Sequence, residues 1–324
     1  MATNAVNGHA VSSARALIPG IYGPIPTFFL PGSEDLDLES FATHIVKLAK
    51  AHVYPVIAGR RRALDDAGLT EVPIVAGTGT GSTRETVELS KEAAEAGADI
   101  AIVIASGYFA GALGPKALKA FFVEVAEKSP IPVIVYNFPG ASGGLDLDSD
   151  LITSIAEECP NTAGVKLTCG NVGKLTRICD TVSSASFASA YPRKNPKAPF
   201  LVFGGFIDFL LPSTYANGHG AITGLSNVAP YAIAKLYELS VATRIDSSLL
   251  PEAQRLQGII ARADFTIAKT SIAGTKALVE KLYGYGGVPR RPLLPLEADQ
   301  LDALWAHPHV QDLVKLEREL SGKS

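Results

Sequence analysis

The feature that most constrains the fold is a repeated alternation of short apolar runs with longer amphipathic segments. Eight runs rich in β-branched residues are predicted as strands, beginning near residues 21, 53, 72, 98, 131, 162, 199 and 220. Most intervals between them show helical spacing, as in 38–52, where Phe41, Ile45 and Leu48 share one face. Strands that are apolar throughout are typical of a parallel sheet covered on both faces. The pattern predicts an α/β protein with a closed (β/α)8 barrel, the TIM-barrel architecture, over residues 20–227.

The pattern changes at both ends of the predicted barrel. After about residue 228 only helical periodicity continues, so 228–324 is expected to form a C-terminal helical region. Residues 1–19 have no apolar core for a secretory signal and are expected to be a disordered N-terminal tail. A mitochondrial presequence is the alternative interpretation of that stretch.

The second unit of the barrel is shorter than the others. Only residues 60–71 lie between Gly59 and the strand that begins at Val72. Twelve residues do not accommodate both a full helix and a loop of normal length. We therefore expect a truncated second βα unit, with either a clipped helix or a missing loop at the carboxyl end of its strand.

Composition and charge exclude several classes of protein. A chain of 324 residues with 47% hydrophobic and 19% charged residues can bury a large core, which excludes a disordered polymer. A net charge of −3 offers no basic surface for nucleic acid or an anionic membrane, and no apolar run reaches the roughly 18 residues of a membrane helix. Three cysteines without zinc spacing, Cys159, Cys169 and Cys179, are expected to be reduced thiols of a cytoplasmic protein without a metal site. The expected partner is a small molecule.

Two polar side chains at the ends of neighbouring predicted strands are the candidate catalytic residues. Active sites of such barrels lie at the carboxyl ends of the strands. Lys166 lies between Val165 and Leu167, and burial of its amine would lower the pKa and make it a nucleophile for a ketone. Tyr136 ends the preceding strand and could shuttle a proton. The alternatives are a lysine that reaches solvent or a carboxylate, and a core tyrosine whose hydroxyl is bonded locally.

A glycine-rich loop gives a competing hypothesis. The sequence GTGTGSTRE from Gly77 to Glu85 joins a strand to a helix, where nucleotide phosphates often bind. Ser82 and Glu85 also have the spacing of a helix-capping box. The spacing lacks the last glycine of the dinucleotide fingerprint, and the loop follows the third strand, so nucleotide binding is the less favoured function.

Several stretches in this order resemble the dihydrodipicolinate synthase / N-acetylneuraminate lyase family of class I aldolases. The resemblance covers about residues 20–300, and within the family it is closest to 4-hydroxy-2-oxoglutarate aldolases and 2-keto-3-deoxy-sugar-acid aldolases. It rests on IPTFF, STRETVELSKEAAEAGAD, YNFPG, GVKLTCGNVGKL, FGGFIDFLLPSTYANGHGAITGLSNVAP and LYGYGGVPRRPLLPL.

The resemblance implies a Schiff-base aldolase that cleaves a 4-hydroxy-2-keto acid to pyruvate and an aldehyde. Lys166 would form the covalent Schiff base and Tyr136 would shuttle the proton, without a metal or organic cofactor. Thr27, Gly59, Gly205 and Ile222 are the expected substrate-binding residues. A homotetramer is also implied.

The sequence departs from the family pattern at two places. The family's carboxylate-binding motif should begin at Gly59, but Arg60, Arg61 and Arg62 follow it. An arginine could pair with the carboxylate instead, and a catalytically impaired member or a condensing enzyme like dihydrodipicolinate synthase are the alternatives. At SGYFAG, Tyr108 matches the first of two adjacent tyrosines that the family often has, and Phe109 replaces the second, which relays protons between subunits.

Overall fold

The chain forms a closed barrel of eight parallel strands, which confirms the predicted architecture. The computed structural model describes residues 15–57 and 61–322. Each strand pairs in parallel with the strand before it in the chain, and the last pairs with the first. The strands are β1 Gly20–Pro24, β2 Val53–Val56, β3 Val75–Gly77, β4 Ile100–Ile104, β5 Val133–Asn137, β6 Thr162–Leu167, β7 Leu201–Gly204 and β8 Gly220–Ile222.

Thirteen α-helices lie within the described residues. They are α1 Leu38–Lys50, α2 Arg61–Asp66, α3 Thr83–Glu95, α4 Pro115–Lys128, α5 Ser149–Glu158, α6 Val172–Val182, α7 Ala185–Ala190, α8 Leu210–Tyr215, α9 Pro230–Ala242, α10 Leu250–Ala268, α11 Ser271–Tyr283, α12 Ala298–Ala306 and α13 Pro308–Ser321. Helix α9 packs against α8 and β1, so the first helix of the predicted C-terminal region continues the ring of helices around the barrel.

Two separate cores follow from the side-chain alternation of the strands. One fills the barrel interior and includes Tyr22, Ile134, Phe203 and Ile222, which are fully buried. The other lies between the strands and the surrounding helices and includes Val135 and Val165, also fully buried. Since successive strand residues point to opposite faces, a polar side chain at the end of a strand can reach the barrel mouth while its neighbours stay in the outer core.

The second βα unit is short, as the sequence predicts. Helix α2 spans only six residues, and it begins five positions after β2 ends. Arg61 starts this helix and donates to the Asp99 carboxylate at 2.8 Å and to the Val72 carbonyl at 2.6 Å. Asp99 immediately precedes β4, so the guanidinium of Arg61 lies at the amino-terminal end of the strands.

The predicted N-terminal tail extends too far into the chain. Residues 1–14 lie outside the described part, but 15–19 are packed on the barrel. The Arg15 backbone N–H donates to the Asp99 carboxylate at 2.8 Å, and Leu17 is buried in the interior core. In the described ranges, 15–57 and 61–322, no helix combines the length and the apolar character that crossing a bilayer requires.

Candidate active site

A cavity of about 710 Å³ opens at the carboxyl ends of the strands. Its lining comes from the segment after β1, from the ends of β5 and β6, and from the loops after β7 and β8. Helices α10 and α11 and the segment after α11 close the outer side. The cavity therefore lies mainly between one half of the barrel mouth and the C-terminal helices. Cavities of this volume are typical of small-molecule sites.

Lys166 lies in this cavity near the end of β6. Its side chain is 5% exposed, and it forms no ion pair with any described residue. Burial lowers the pKa of the Lys166 amine to about 7, because the charged ammonium loses its hydration. A substantial fraction of this amine is therefore neutral and nucleophilic at neutral pH. The structure thus favours the reactive interpretation over the solvent-exposed or ion-paired one.

Tyr136 lies directly beside Lys166. The two residues are register partners on β5 and β6, and the lysine Nζ lies 4.1 Å from the centre of the phenol ring. The Phe138 ring stacks on the tyrosine with 5.7 Å between ring centres. Burial raises the pKa of the Tyr136 phenol, and the neighbouring Thr168 hydroxyl acts in the opposite direction. The phenol is therefore protonated at neutral pH and can donate a proton first.

Thr168 supplies a second hydroxyl to the cavity. It follows β6 and is buried, and its Oγ1 lies beside the Tyr136 phenol without reaching hydrogen-bond geometry to any described residue. Gly205 allows Thr168 to approach, because a Cβ on Gly205 would lie 2.1 Å from this Oγ1. An unpartnered buried hydroxyl beside a reactive amine is a natural donor or acceptor for a ligand.

A chain of polar side chains fixes the opposite wall of the cavity. Asn227, which lines the cavity, donates from Nδ2 to the Pro24 and Gly224 carbonyls at 2.9 and 2.8 Å. Its Oδ1 lies 3.0 Å from His44 Nε2, so that nitrogen donates and Nδ1 accepts from the Tyr285 hydroxyl at 3.0 Å. Burial lowers the pKa of His44 to about 4, and the imidazole is neutral. The network joins β1, the segment after β8 and the C-terminal region.

Asp264 brings a carboxyl group into the same cavity from α10. It is 8% exposed and accepts from the Ile207 backbone N–H at 3.3 Å. Burial and the nearby Asp208 carboxylate raise the pKa of Asp264 to about 7. The sequence predicts a helix over 251–261 that stops short of this residue, whereas α10 continues to Ala268, so Asp264 is not among the predicted site residues.

The structure brings together some of the predicted substrate-binding residues. Thr27 and Gly205 line the cavity with Lys166 and Tyr136. Ile222 does not, since it is fully buried in the interior core, and Thr223 lines the cavity in its place. Gly59 lies outside the described residues.

Two further predicted features lie away from the cavity. Tyr108 and Phe109 lie at the surface, 91% and 47% exposed, and their rings meet edge to face with 5.0 Å between ring centres. In α2, the Arg61 guanidinium forms an ion pair with Asp99. The Arg62 side chain is 92% exposed and pairs with Asp66. Neither described arginine can therefore replace the carboxylate-binding motif.

The glycine-rich loop uses its polar groups within the chain. Ser82 caps α3 by accepting from the Glu85 N–H at 3.2 Å, as predicted, but Glu85 accepts from the Thr80 hydroxyl and does not complete a capping box. A Cβ on Gly79 would lie 2.7 Å from the Ile104 backbone nitrogen, so this glycine serves close packing on β4. These contacts disfavour the phosphate-binding hypothesis.

Comparison with known proteins identifies related chains over nearly the whole length. The chain is 38% identical over 334 aligned residues to L-threo-3-deoxy-hexylosonate aldolase from Aspergillus niger, covering 94% of this chain and 97% of the relative. It is also 38% identical to a protein of Emericella nidulans named as a mitochondrial 4-hydroxy-2-oxoglutarate aldolase, over 95% of this chain and 99% of that one. The alignment with the Aspergillus protein is longer than this chain, so that relative contains residues without a counterpart here.

Solved structures agree with these sequence matches. A dihydrodipicolinate synthase family protein from Coccidioides immitis has a TM-score of 0.74 and 33% identity, covering 96% of this chain and 99% of its own. The E. coli K12 prophage protein YagE, solved in complex with pyruvate, has a TM-score of 0.74 and 26% identity, with 94% and 99% covered. The model of the dihydrodipicolinate synthetase family matches residues 63–308. The chain therefore belongs to the dihydrodipicolinate synthetase family.

Proposed function

We propose that this protein is a pyruvate-forming Schiff-base aldolase. Its substrate would be a 2-keto acid with a hydroxyl two carbons beyond the ketone, such as 4-hydroxy-2-oxoglutarate or a 2-keto-3-deoxy sugar acid. The observation that carries the proposal is the buried Lys166 amine, without an ion-pair partner among the described residues, against the Tyr136 ring in an open cavity. Relatives named as aldolases for these two substrate classes support it, as does a related structure that holds pyruvate.

The proposed reaction uses only side chains of the protein and the substrate. The neutral amine of Lys166 adds to the ketone carbon, and loss of water gives an iminium ion. Tyr136, protonated at the start because of its raised pKa, donates to the departing hydroxyl, and the positive iminium stabilises the resulting phenolate. The phenolate then accepts the proton of the substrate's C4 hydroxyl as the C3–C4 bond breaks. The electron pair of that bond moves into the iminium, and an aldehyde leaves.

The remaining steps regenerate the enzyme. The Tyr136 phenol, which now holds the proton of the C4 hydroxyl, protonates the enamine at its terminal carbon and gives the iminium of pyruvate. Water then adds to the iminium, the phenolate takes up the released proton, and pyruvate and free Lys166 form. The scheme uses no external oxidant, reductant, metal or organic cofactor, and we propose that the protein needs none. The 2-keto acid is then its only required partner.

Borohydride trapping with pyruvate tests the proposal. The wild-type protein should gain one reduced pyruvyl group, and peptide mapping should place it on Lys166. Lys166→Met should abolish the adduct, whereas Lys269→Met, at the end of α10, should retain it. Lys276 also lines the cavity, so an adduct that maps to Lys276 would contradict the assignment of the nucleophile. Absence of any adduct and of aldolase turnover would overturn the proposed function.

Two alternatives use the same fold. A condensing enzyme would join pyruvate to an aldehyde without releasing one, and an impaired member would bind slowly or not at all because of the short segment after β2. The names of the relatives favour cleavage. Release of free pyruvate from 4-hydroxy-2-oxoglutarate, or from a 2-keto-3-deoxy sugar acid, identifies the cleaving enzyme. Without release, rapid trapping of a pyruvyl adduct indicates the condensing enzyme, and slow or absent trapping indicates the impaired member.

We further propose a homotetramer in the cytoplasm, with the mitochondrion as the alternative location. The exposed aromatic pair Tyr108 and Phe109 supports self-association, because adjacent exposed apolar side chains can form part of an interaction surface. The mitochondrial name of the Emericella relative supports the alternative. Light scattering tests the tetramer, and fluorescence of a carboxyl-terminally tagged protein tests the location.

A further inference from the structure

Lys276 is a buried cation with few polar contacts. It lies in α11, its side chain is 1% exposed, and it lines the same cavity as Lys166. Its Nζ donates to the Thr27 carbonyl at 2.5 Å and forms no ion pair within the described residues. An ammonium has three N–H donors, so this single bond satisfies only part of its capacity.

The surroundings of Lys276 compensate its charge only in part. Its Nζ lies 5.4 Å and 5.0 Å from the ring centres of Phe28 and Phe29. Ring faces attract a cation, but less than water or a carboxylate does. Burial lowers the pKa of the Lys276 amine to about 8, and Glu280 opposes this shift from one turn further along α11. No described carboxylate lies within ion-pair distance of the Lys276 ammonium, so this buried charge can still bind an anion.

Other described cations are not both buried in the cavity and free to bind an anion. Arg290 lines the cavity, but it is exposed and donates to the Glu34 carbonyl at 2.6 Å. Arg61 is held by Asp99 at the other end of the strands. Lys166 forms the covalent bond in the proposed reaction. Lys276 is thus the buried cation that remains for an anionic part of the substrate.

We propose that Lys276 binds a carboxylate of the keto acid substrate. This inference rests on the proposed function, because it takes the ligand to be a keto acid. The carboxylate would lie against the ammonium and complete the hydrogen bonding that the Thr27 carbonyl begins. Such a contact also gives the C-terminal helix α11 a direct part in substrate recognition.

Kinetics with two substrates test the inference and identify the carboxylate. Lys276→Met should raise the KM, or the pyruvate concentration for half-maximal trapping, by about 10- to 100-fold, since a hydrogen bond to a charged group is lost. Pyruvate carries only the carboxylate next to the ketone, and 4-hydroxy-2-oxoglutarate carries a second one at its far end. An effect on both substrates assigns the first carboxylate, and an effect on the longer substrate alone assigns the second. No effect on either overturns the inference.

Three controls separate charge from structure. Lys281→Met, on the outer part of the same helix, should leave both constants unchanged, and Lys276→Arg should restore most of the lost affinity. Trapping of pyruvamide, which is neutral, should respond to Lys276→Met less than trapping of pyruvate does if the first carboxylate is bound. A purely structural Lys276 would instead lower the Tm on substitution by Met and leave the KM unchanged.

A binding measurement keeps the inference separate from the chemistry. In a Lys166→Met background no Schiff base can form, and 4-hydroxy-2-oxoglutarate should still raise the Tm. The double variant with Lys276→Met should lose that rise. A rise that persists in the double variant would contradict the role of Lys276, whereas failure of the aldolase proposal would appear as missing adduct and turnover in the wild type.

Discussion

Thr168 packs so closely on Gly205 that a Cβ at position 205 would lie 2.1 Å from its hydroxyl and 2.5 Å from its Cα. The glycine therefore permits a contact between the ends of β6 and β7, and it holds the Thr168 hydroxyl next to Tyr136. The family resemblance implies that Gly205 is a substrate-binding residue. The structure shows that its lack of a side chain leaves room for the protein itself.

Gly205→Ala should therefore displace Thr168 and disturb the cavity. We expect a loss of stability of about 1–3 kcal/mol from overpacking, together with a large fall in activity as Thr168 moves. Urea denaturation and a pyruvate-release assay measure the two effects. Gly81→Ala is the matched control, because Gly81 is exposed before α3, does not line the cavity, and a Cβ there meets nothing within 4 Å, so this variant should remain close to wild type. Equal behaviour of the two variants would contradict the packing argument.

Tyr136→Phe should separate binding from proton transfer. Loss of the phenol should lower kcat by about 10²- to 10⁴-fold, the range for a lost acid–base group. The slow borohydride adduct of pyruvate on Lys166 should persist, because the amine is still buried beside an aromatic ring. Tyr54→Phe, which alters another half-buried tyrosine of the barrel, should change neither quantity. A Tyr136→Phe variant with normal kcat would exclude the proposed proton shuttle.

Adduct formation should depend on pH through the Lys166 amine. Because burial lowers its pKa to about 7, the neutral form grows as pH rises and predominates above that value. The trapping rate should increase with pH below about 7 and level off above it. Asp264→Asn should leave the midpoint in place, although the pKa of Asp264 is also near 7. A midpoint that moves with this substitution would assign the titration to the aspartate.

Asp264 should make the stability of the protein fall with rising pH. Its pKa is about 7 in the fold against an ordinary value of 3.8, so the folded chain retains a proton that the unfolded chain has already lost. The stabilisation is complete below about pH 4 and is lost as pH rises to about 7. Asp264→Asn should remove this slope and raise the Tm at pH 8. Asp302→Asn, on exposed α12, should leave the slope intact.

Substitution of Arg61 and of Arg62 should change the stability of the protein by different amounts, and neither substitution should change the kinetics. Arg61→Ala removes charged hydrogen bonds to Asp99 and should lower the free energy of unfolding by about 1–3 kcal/mol. Arg62→Ala breaks only an exposed pair and should cost less than about 0.5 kcal/mol. Neither should change the KM for a keto acid. A raised KM for Arg61→Ala alone would show that this guanidinium reaches the substrate.

Parts of the site could be predicted because they depend on local sequence. Lys166 and Tyr136 end adjacent strands, and parallel pairing places such residues side by side at one end of a barrel. Caps and apolar spacing in the sequence predict α4 over 115–128, β6 over 162–167 and α6 over 172–182, and the structure has the same limits.

Other parts depend on packing that local patterns do not determine. Asp264 and Lys276 reach the cavity only because α10 and α11 lie over the barrel mouth, and nothing in their own periodicity fixes that position. Ile222 does not reach the cavity, because its side chain fills the barrel interior below the mouth and the cavity begins at the next residue, Thr223. Helix α7, six residues rich in alanine and serine, has no apolar face long enough to detect.

The position of the C-terminal helices in the chain affects when the active site can form during synthesis. A ribosome that has completed β8 has already produced the reactive lysine and its tyrosine, but the wall that carries Asp264 and Lys276 is still unsynthesised. A chain of that length also lacks α9, which packs against α8 and β1, so both its helix ring and its cavity wall are incomplete. The protein can therefore become active only after the last third of the chain has been synthesised and has packed on the barrel. Premature termination after β8 should yield an inactive protein.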